Sequence, residues 1–474
     1  MNRFTVKTKV LNALFLFKKS WSGIVQLIAV VGLLVLLSDC GSTYSPQEEA
    51  PPQLVSSFSS DVANQWFLLA TNLVMTPGLN PGPARPARAF GYEGVALYEA
   101  LVAGMPGYQS LAGQLNGLTE GLQVSPGRQY HWPSVANAAL ARVMNALYDV
   151  IPNGMSNTTT VRDAAQAQIQ ALYDQFAAQF QTEISVEAFR QSDDYGDAVG
   201  QHIVDWSNTD GFSTRSKAYT PCGDPSCWQE TPPGLGAAYE PHWGDLRTFA
   251  LTSGSEVDPG PPPTYDEDPA SAFYAYALQD YNTVNNLTLN QQNIANYWAD
   301  GPGTITPPGH SISMTRQILQ QQEKQGKGFK LETAAEAYAR VGIAAADAFI
   351  ACWNTKYKYN LLRPITYIRK VDIDPVWLSF LATPNFPTYT SGHSTQSGAW
   401  ARVMTDMFGN IPFTDLTNDY QGLAPRSFNT FAAVAAEAAV SRLYAGIHYD
   451  FDNFTGLTQG DNVGAKVSAL HFRK

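Results

Sequence analysis

The stretch LETAAEAYARVGIAAADAFIACW, Leu331 to Trp353, decides the fold. It is rich in alanine and larger apolar residues, and it predicts a long helix over 331–356 at the centre of the protein. Glu332, Glu336, Arg340 and Asp347 interrupt the run Leu331–Ile350, the most apolar beyond residue 40, so it reads as core and not as a membrane span. Working outward, helical patterns fall at about 290–299, 308–326 and 261–277 on one side, and at 393–408, 427–446 and 456–471 on the other. Further upstream they recur at 61–75, 88–104, 134–149, 158–180 and 183–208. In 158–180, Val161, Ala165, Ile169, Leu172, Phe176 and Phe180 repeat at the three-to-four spacing of an amphipathic helix. Strand signals are weak throughout. The expected fold class is all-α: packed helical bundles joined by long ordered loops.

Composition agrees. The 474 residues are 44% hydrophobic and 15% charged, enough for a sizeable core in two or three domains or one large helical one. The 23 Phe, 23 Tyr and 10 Trp need somewhere to pack, which excludes disorder across the chain. Thirty basic against 41 acidic side chains leave a formal charge of −11, which argues against generic nucleic-acid binding. An anionic ligand then requires a local cationic pocket. Between 209 and 245 proline, glycine, tryptophan and tyrosine dominate, and the segment reads as an ordered loop covering part of the protein.

Residues 1–40 read as an export signal. Arg3, Lys7, Lys9, Lys18 and Lys19 precede an apolar run from Ile24 to Leu37, and Leu37-Ser38-Asp39-Cys40 is similar to a bacterial lipoprotein cleavage box. A lipid on Cys40 would anchor the protein to a membrane, with a periplasmic or cell-surface location. Asp39 departs from the usual small residue, and a plain signal peptide or uncleaved anchor stays open. Residues 41–60, rich in Ser, Pro and Glu, read as a flexible tether. Cys222 and Cys227 share a Pro/Gly loop that suits a small disulfide in an oxidising compartment. Cys352 reads as a buried thiol.

The chemistry concentrates in three segments. Lys356 and Arg363-Pro364 lie near the end of the central helical segment, Ser391-Gly392-His393 leads into another, and Ser441-Arg442 precedes His448 and Asp452. Lys356, Arg363 and Arg442, brought together, form a site for a multiply charged oxyanion, with arginine supplying a planar fork and lysine a compact charge. Ser391 adds a hydroxyl, the Gly392 amide permits close approach, and a helix beginning near His393 adds unpaired amides. His393 and His448 would divide attack or ligation from proton transfer. Four residues separate His448 from Asp452, which on one helix shares a face and lets Asp452 hold the second imidazole nitrogen.

The pattern Lys356-x6-Arg363-Pro364, Ser391-Gly392-His393, Ser441-Arg442-x5-His448-x3-Asp452 resembles the vanadium-dependent haloperoxidase family, within the type 2 phosphatidic acid phosphatase/haloperoxidase superfamily. The likeness is strong from Arg340 to Asp452 and extends upstream to the Tyr239–Gly244 patch and the Pro307-Pro-Gly-His310 turn. It implies one haloperoxidase-like catalytic domain over 61–474, with active-site motifs in 353–452, and a vanadate cofactor. The implied reaction is oxidation of halide by hydrogen peroxide to hypohalous acid. An organic acceptor and a homo-oligomer stay open. The resemblance makes His448 the vanadium ligand and Asp452 its orienting partner. It gives Lys356, Arg363, Arg442, Ser391 and Gly392 the equatorial oxygens, and His393 the acid–base work at the opposite apical oxygen.

Acid phosphatase activity through a phosphohistidine at His448 is the alternative in the same superfamily. Trp353, three residues before Lys356, and Phe386, seven before His393, are similar to the fungal chloroperoxidase branch and would form a halide pocket. A scaffold without turnover would not need the intact cation and histidine set. Thr390 stands where the family usually has proline, and is expected to loosen the turn before Ser391. Asp347 is expected to be an ordinary helix acid or a buried countercharge, and His310 to stabilise a turn. His242, next to Trp243, is expected to pack beside the aromatic-rich loop, with substrate contact as the alternative, and His131, His202 and His471 have no nearby partner that makes a metal site.

Overall fold

The computed structural model describes residues 53–474, apart from 77, 80, 81, 149–157 and 235. The expected export signal and most of the expected tether lie outside the described residues. The tether reading fails for 53–60: Val55 and Ser60 are buried, and the Trp132 indole donates to the Gln53 carbonyl at 2.7 Å. An apolar side chain with a pocket to fill has ended the tether early.

Among the described residues the fold is all-α, apart from one short hairpin. The helices are α1 (Asp61–Met75), α2 (Ala84–Leu101), α3 (Trp132–Tyr148), α4 (Thr158–Phe180), α5 (Val186–Ser207), α6 (Ala272–Asn285), α7 (Leu289–Tyr297), α8 (Thr306–Lys324), α9 (Leu331–Tyr359), α10 (Pro364–Lys370), α11 (Gly392–Phe408), α12 (Phe431–Tyr444) and α13 (Asp450–Ser468). Side-chain caps set several starts. Ser185 accepts from the Ala188 amide, and Thr288 with Gln291 forms a reciprocal capping box. Strands β1 (Phe413–Asp415) and β2 (Arg426–Phe428) pair antiparallel, with Asp415 opposite Arg426.

α9 is the core helix the sequence predicts, and it packs against α1, α2, α8, α11 and α13. Its crossing with α2 is backbone to backbone: a Cβ on Gly342 would lie 2.2 Å from the Phe90 carbonyl oxygen, and one on Gly94 2.4 Å from that of Tyr338. α11 and α13 meet the same way. Gly456, Gly460 and Gly464 recur every four residues on one face, and a Cβ on Gly460 would lie 2.0 Å from the Thr395 carbonyl oxygen.

Three differences from the sequence reading have physical causes. α6 begins at Ala272, not near 261, because Pro261, Pro262, Pro263 and Pro269 lack amide donors and Ser271 supplies the cap, accepting from Tyr274 at 3.1 Å. α13 begins six residues earlier than expected, since its packed face is glycine and leaves no apolar period to read. Asp347 is neither a surface acid nor a countercharge. Fully buried, it accepts the amides of Phe249, Ala250 and Leu251 at 2.6–2.9 Å and pins that loop to α9. Burial, against those three bonds, raises its carboxyl to about 6.

Cys222 and Cys227 are disulfide-bonded, and Cys352 is a buried free thiol. No helix among the described residues is long and apolar enough to cross a membrane.

Candidate oxyanion site

Lys356 stands on the last turn of α9, fully buried, and its ammonium donates to the Pro387 and Thr388 carbonyls at 2.9 and 2.8 Å. Asn360 ends the helix in the left-handed conformation (φ 50°), turning the chain toward Arg363. Arg363 caps α10, a helix absent from the sequence reading. Its Nε donates to the Phe386 carbonyl and its Nη1 to the Ile447 carbonyl, each at 2.8 Å. Arg442, near the end of α12, donates from Nη1 to the Trp298 carbonyl and, at 3.3 Å, to His393 Nε2. Both guanidiniums are almost wholly buried, yet Arg363 Nη2 and Arg442 Nε have no hydrogen-bond partner among the described residues. Such charged donors are costly to leave unpaired, and an oxyanion between them would satisfy both.

Burial is the leading cause of every shift here. It lowers Lys356 to about 7, Arg363 to about 9 and Arg442 to about 10. Mutual repulsion adds to the fall, Arg363 acting on Lys356 and Arg442 on Arg363. An oxyanion among them reverses that repulsion.

The histidines sit on opposite helix starts. Ser391 caps α11, its hydroxyl oxygen accepting from the Ser394 amide at 3.4 Å, and Gly392 and His393 form the first turn with its unpaired amides. His393 is half-buried, and desolvation, then Arg442 and His310, hold its imidazole well below the usual range. His448 and Asp452 do not share a helix, as the four-residue spacing suggested. His448 precedes α13, Tyr449 is the N-cap, and Asp452 lies in the first turn. The contact nevertheless forms: His448 Nδ1 lies 3.0 Å from Asp452 Oδ2. Burial and then Arg363 and Lys356 keep His448 neutral, so Nδ1 donates to Asp452 and the Nε2 lone pair faces Arg363, 3.1 Å away. Burial raises Asp452 to about 7, opposed by the Thr388 hydroxyl bond, Lys356 and Arg363. The Ser391 amide donates to the Asp452 carbonyl at 3.0 Å, tying the two turns together.

The three sequence segments thus meet at one place, Lys356, Arg363, Ser391 and Asp452 standing behind the residues that line the cavity. A cavity of about 460 Å³ opens there, with Gly392, His393, Arg442 and His448 on one side and Tyr239, Trp353 and Phe386 among its apolar walls. Phe386 lies beneath the cations, its ring centre 5.2 Å from Lys356 Nζ and 4.9 Å from Arg363 Cζ. The rings of Trp353 and Phe386 are 5.0 Å apart.

Thr390 does not loosen its turn. It is buried, and its hydroxyl donates to Gln459 of α13 at 2.6 Å, replacing a proline's rigidity with a bond. Sequence reasoning missed Thr388, whose hydroxyl contacts both His448 Nδ1 (3.1 Å) and Asp452 Oδ2. It also missed the Trp298 carbonyl. No motif marks a backbone acceptor, whereas Thr388, two residues before Thr390, was open to notice. His131, His202, His242 and His471 lie away from the cavity, His242 paired with Asp245.

Comparison with known proteins agrees with this geometry. A family model described as the VCPO second helical-bundle domain matches residues 336–473. The chain is 33% identical to a solved bacterial vanadium-dependent iodoperoxidase, covering 89% of this chain and 97% of that one with a TM-score of 0.78. It is 27% identical over 213 residues to the vanadium chloroperoxidase of Curvularia inaequalis, and 34% identical over 102 residues to the vanadium-dependent bromoperoxidase of Ascophyllum nodosum. Those two matches cover 33% and 19% of this chain, and span only 35% and 18% of the curated relatives' own lengths. Being 33% identical to that iodoperoxidase, covering 97% of its chain with a TM-score of 0.78, the chain belongs to the vanadium-dependent haloperoxidase family.

Proposed function

We propose that the protein is a vanadate-dependent haloperoxidase, oxidising halide with hydrogen peroxide to hypohalous acid. One observation carries the reading: a cavity lined by Arg442 and two neutral imidazoles has Arg363 directly behind His448, and both buried guanidiniums keep a donor without a partner among the described residues. These residues fit vanadate. A tetrahedral oxyanion offers acceptors to Arg363 Nη2, Arg442 Nε and the Gly392 amide, while His448 Nε2 supplies a lone pair to the central atom. Bound vanadate contributes Lewis-acid activation of peroxide toward halide without changing oxidation state.

The chain's own residues do the rest. Asp452 and Thr388 fix the Nδ1–H tautomer of His448, which keeps Nε2 unprotonated toward the cavity. Arg363 and Arg442 hold and neutralise oxygens, and Lys356, charged once an anion is present, draws electron density toward itself. His393, held neutral, accepts a proton from incoming peroxide and returns it as hydroxide or water leaves. Trp353 and Phe386 form the halide-side wall. The remaining apolar volume suits an organic acceptor. The disulfide and the basic-then-apolar start of the sequence support an exported bacterial enzyme, with Cys40 as lipid anchor.

The relatives' names span iodide, chloride and bromide. The test therefore assays vanadate-loaded and vanadate-free protein with each halide plus peroxide, and with a phosphate ester. Halide oxidation only after loading is expected. Phosphate-ester turnover by the vanadate-free protein, without halide oxidation by the loaded one, makes it a phosphatase instead.

A further inference from the structure

His310 lies outside the first ring of site residues, in the first turns of α8, and is almost wholly buried. Its Nδ1 contacts Asp300 Oδ2 at 3.0 Å and its Nε2 contacts Asp415 Oδ2 at 2.7 Å. A neutral imidazole has a single N–H, so one of those nitrogens would oppose a carboxylate with its lone pair; two carboxylate partners require both nitrogens to donate. Burial alone would lower its pKa, but Asp300 and Asp415 lift it to about 10. Asp415 exists at this spot because of the hairpin, where Thr417 donates its amide to Oδ1 at 2.9 Å.

The imidazolium lies flat on the Trp298 indole, centroids 4.5 Å apart and planes 20° from parallel. The indole N–H is fixed from the other side by Glu437 of α12, at 3.0 Å. Trp298 is therefore held at its ring while its carbonyl works in the oxyanion site. That carbonyl accepts from Arg442 Nη1 and also hydrogen-bonds the His393 imidazole. The charged and titratable groups facing His310 are Asp300 from the turn after α7, Asp415 from β1, Tyr297 from α7, and the site residues His393 and Arg442.

We propose that His310 is a positioning residue for the oxyanion site: bridging Asp300 and Asp415, it locks Trp298 so that one carbonyl aims both Arg442 and His393 at the bound anion. The inference rests on the oxyanion reading of Arg442 and His393 given above. It adds a supporting layer, Asp300–His310–Asp415–Trp298, built from a turn, two helices and the hairpin. Outer-layer partners of this kind typically set affinity by about 10–100-fold.

The test uses full-length protein stripped of vanadate, with vanadate affinity read by calorimetry. His310→Gln pairs with one carboxylate at most and carries no charge; its vanadate Kd is expected to rise at least tenfold. Thr315→Val, on the same helix, loses buried bonds to Ser311 and Trp400. It should lower the melting temperature and leave the Kd unchanged. A folded His310→Gln protein with wild-type Kd overturns the proposal, as does Thr315→Val weakening vanadate equally, which would reduce the effect to general destabilisation. Should His310→Gln fail to fold, Asp415→Asn takes its place with the same two outcomes. Ring-nitrogen NMR of histidine-labelled wild type supplies an independent reading at pH about 8, well above the ordinary imidazole pKa of about 6.5. His310 should show two protonated nitrogens, and a single one overturns the bridge. If wild type itself fails to bind vanadate, the oxyanion reading falls, and this inference with it.

Discussion

Replacing Arg363 with lysine keeps the formal charge at the site and removes the guanidinium's fork. In wild type, Nε and Nη1 are committed to the Phe386 and Ile447 carbonyls at 2.8 Å, and Nη2 is left for the oxyanion. A lysine ammonium gathers its three donors on one nitrogen and cannot span the three separated directions of the planar fork. Losing a single charge-assisted bond to the anion costs about 1.5–3 kcal/mol, which is roughly a 10- to 150-fold rise in Kd. Repulsion moves the result toward the upper end, since a second buried ammonium beside Lys356 and Arg442 holds its proton less firmly than a guanidinium. The assay is calorimetric titration of vanadate into stripped wild type and Arg363→Lys at one fixed pH, with melting temperatures of the same samples. The melting temperature should fall too, as two buried carbonyls lose their donors. A folded Arg363→Lys protein that binds vanadate with the wild-type Kd would refute the reasoning, because charge alone would then suffice.

His448→Ala should abolish measurable vanadate binding and halide oxidation together; undiminished loading would remove His448 from its role. Affinity for an oxyanion that does not itself titrate, such as sulfate, should fall as pH rises through about 7. The sign follows from Lys356, which is depressed to about 7 and must take up a proton to meet an anion at higher pH. Calorimetry in two buffers of different ionisation enthalpy detects that uptake, and its absence on the alkaline side counts against the assignment. Gly460→Ala forces a methyl to within 2.0 Å of the Thr395 carbonyl oxygen, and should destabilise by about 1–3 kcal/mol or prevent folding. An unchanged thermal midpoint would mean that α11 and α13 do not touch as described.

Most of the helices were legible because their buried faces carry large apolar side chains at helical spacing, as in α1, α4 and α9. The site was legible because its charges and imidazoles are rare residue types in a chain only 15% charged. What stayed hidden has a different chemistry. α13 buries glycine and α6 is preceded by a run of prolines, so neither announces its start by hydrophobicity. The β1–β2 hairpin has three residues per strand, too few for a period-two pattern. That hairpin carries Asp415, which is why His310 read as a turn residue and not as the centre of a bridge between two acids. His448 and Asp452 show the converse: the contact was expected for a shared helix face, and a capped turn delivers it instead.

The glycines at 456, 460 and 464 put two main chains in direct touch, and each of the helices concerned starts at one of the histidine-bearing turns. The gap between the imidazoles is thus gauged by peptide against peptide, independent of how well surrounding side chains fill space. Libraries that randomise core positions elsewhere, keeping those glycines, should scatter widely in melting temperature while their oxyanion affinities stay bunched near the parent value.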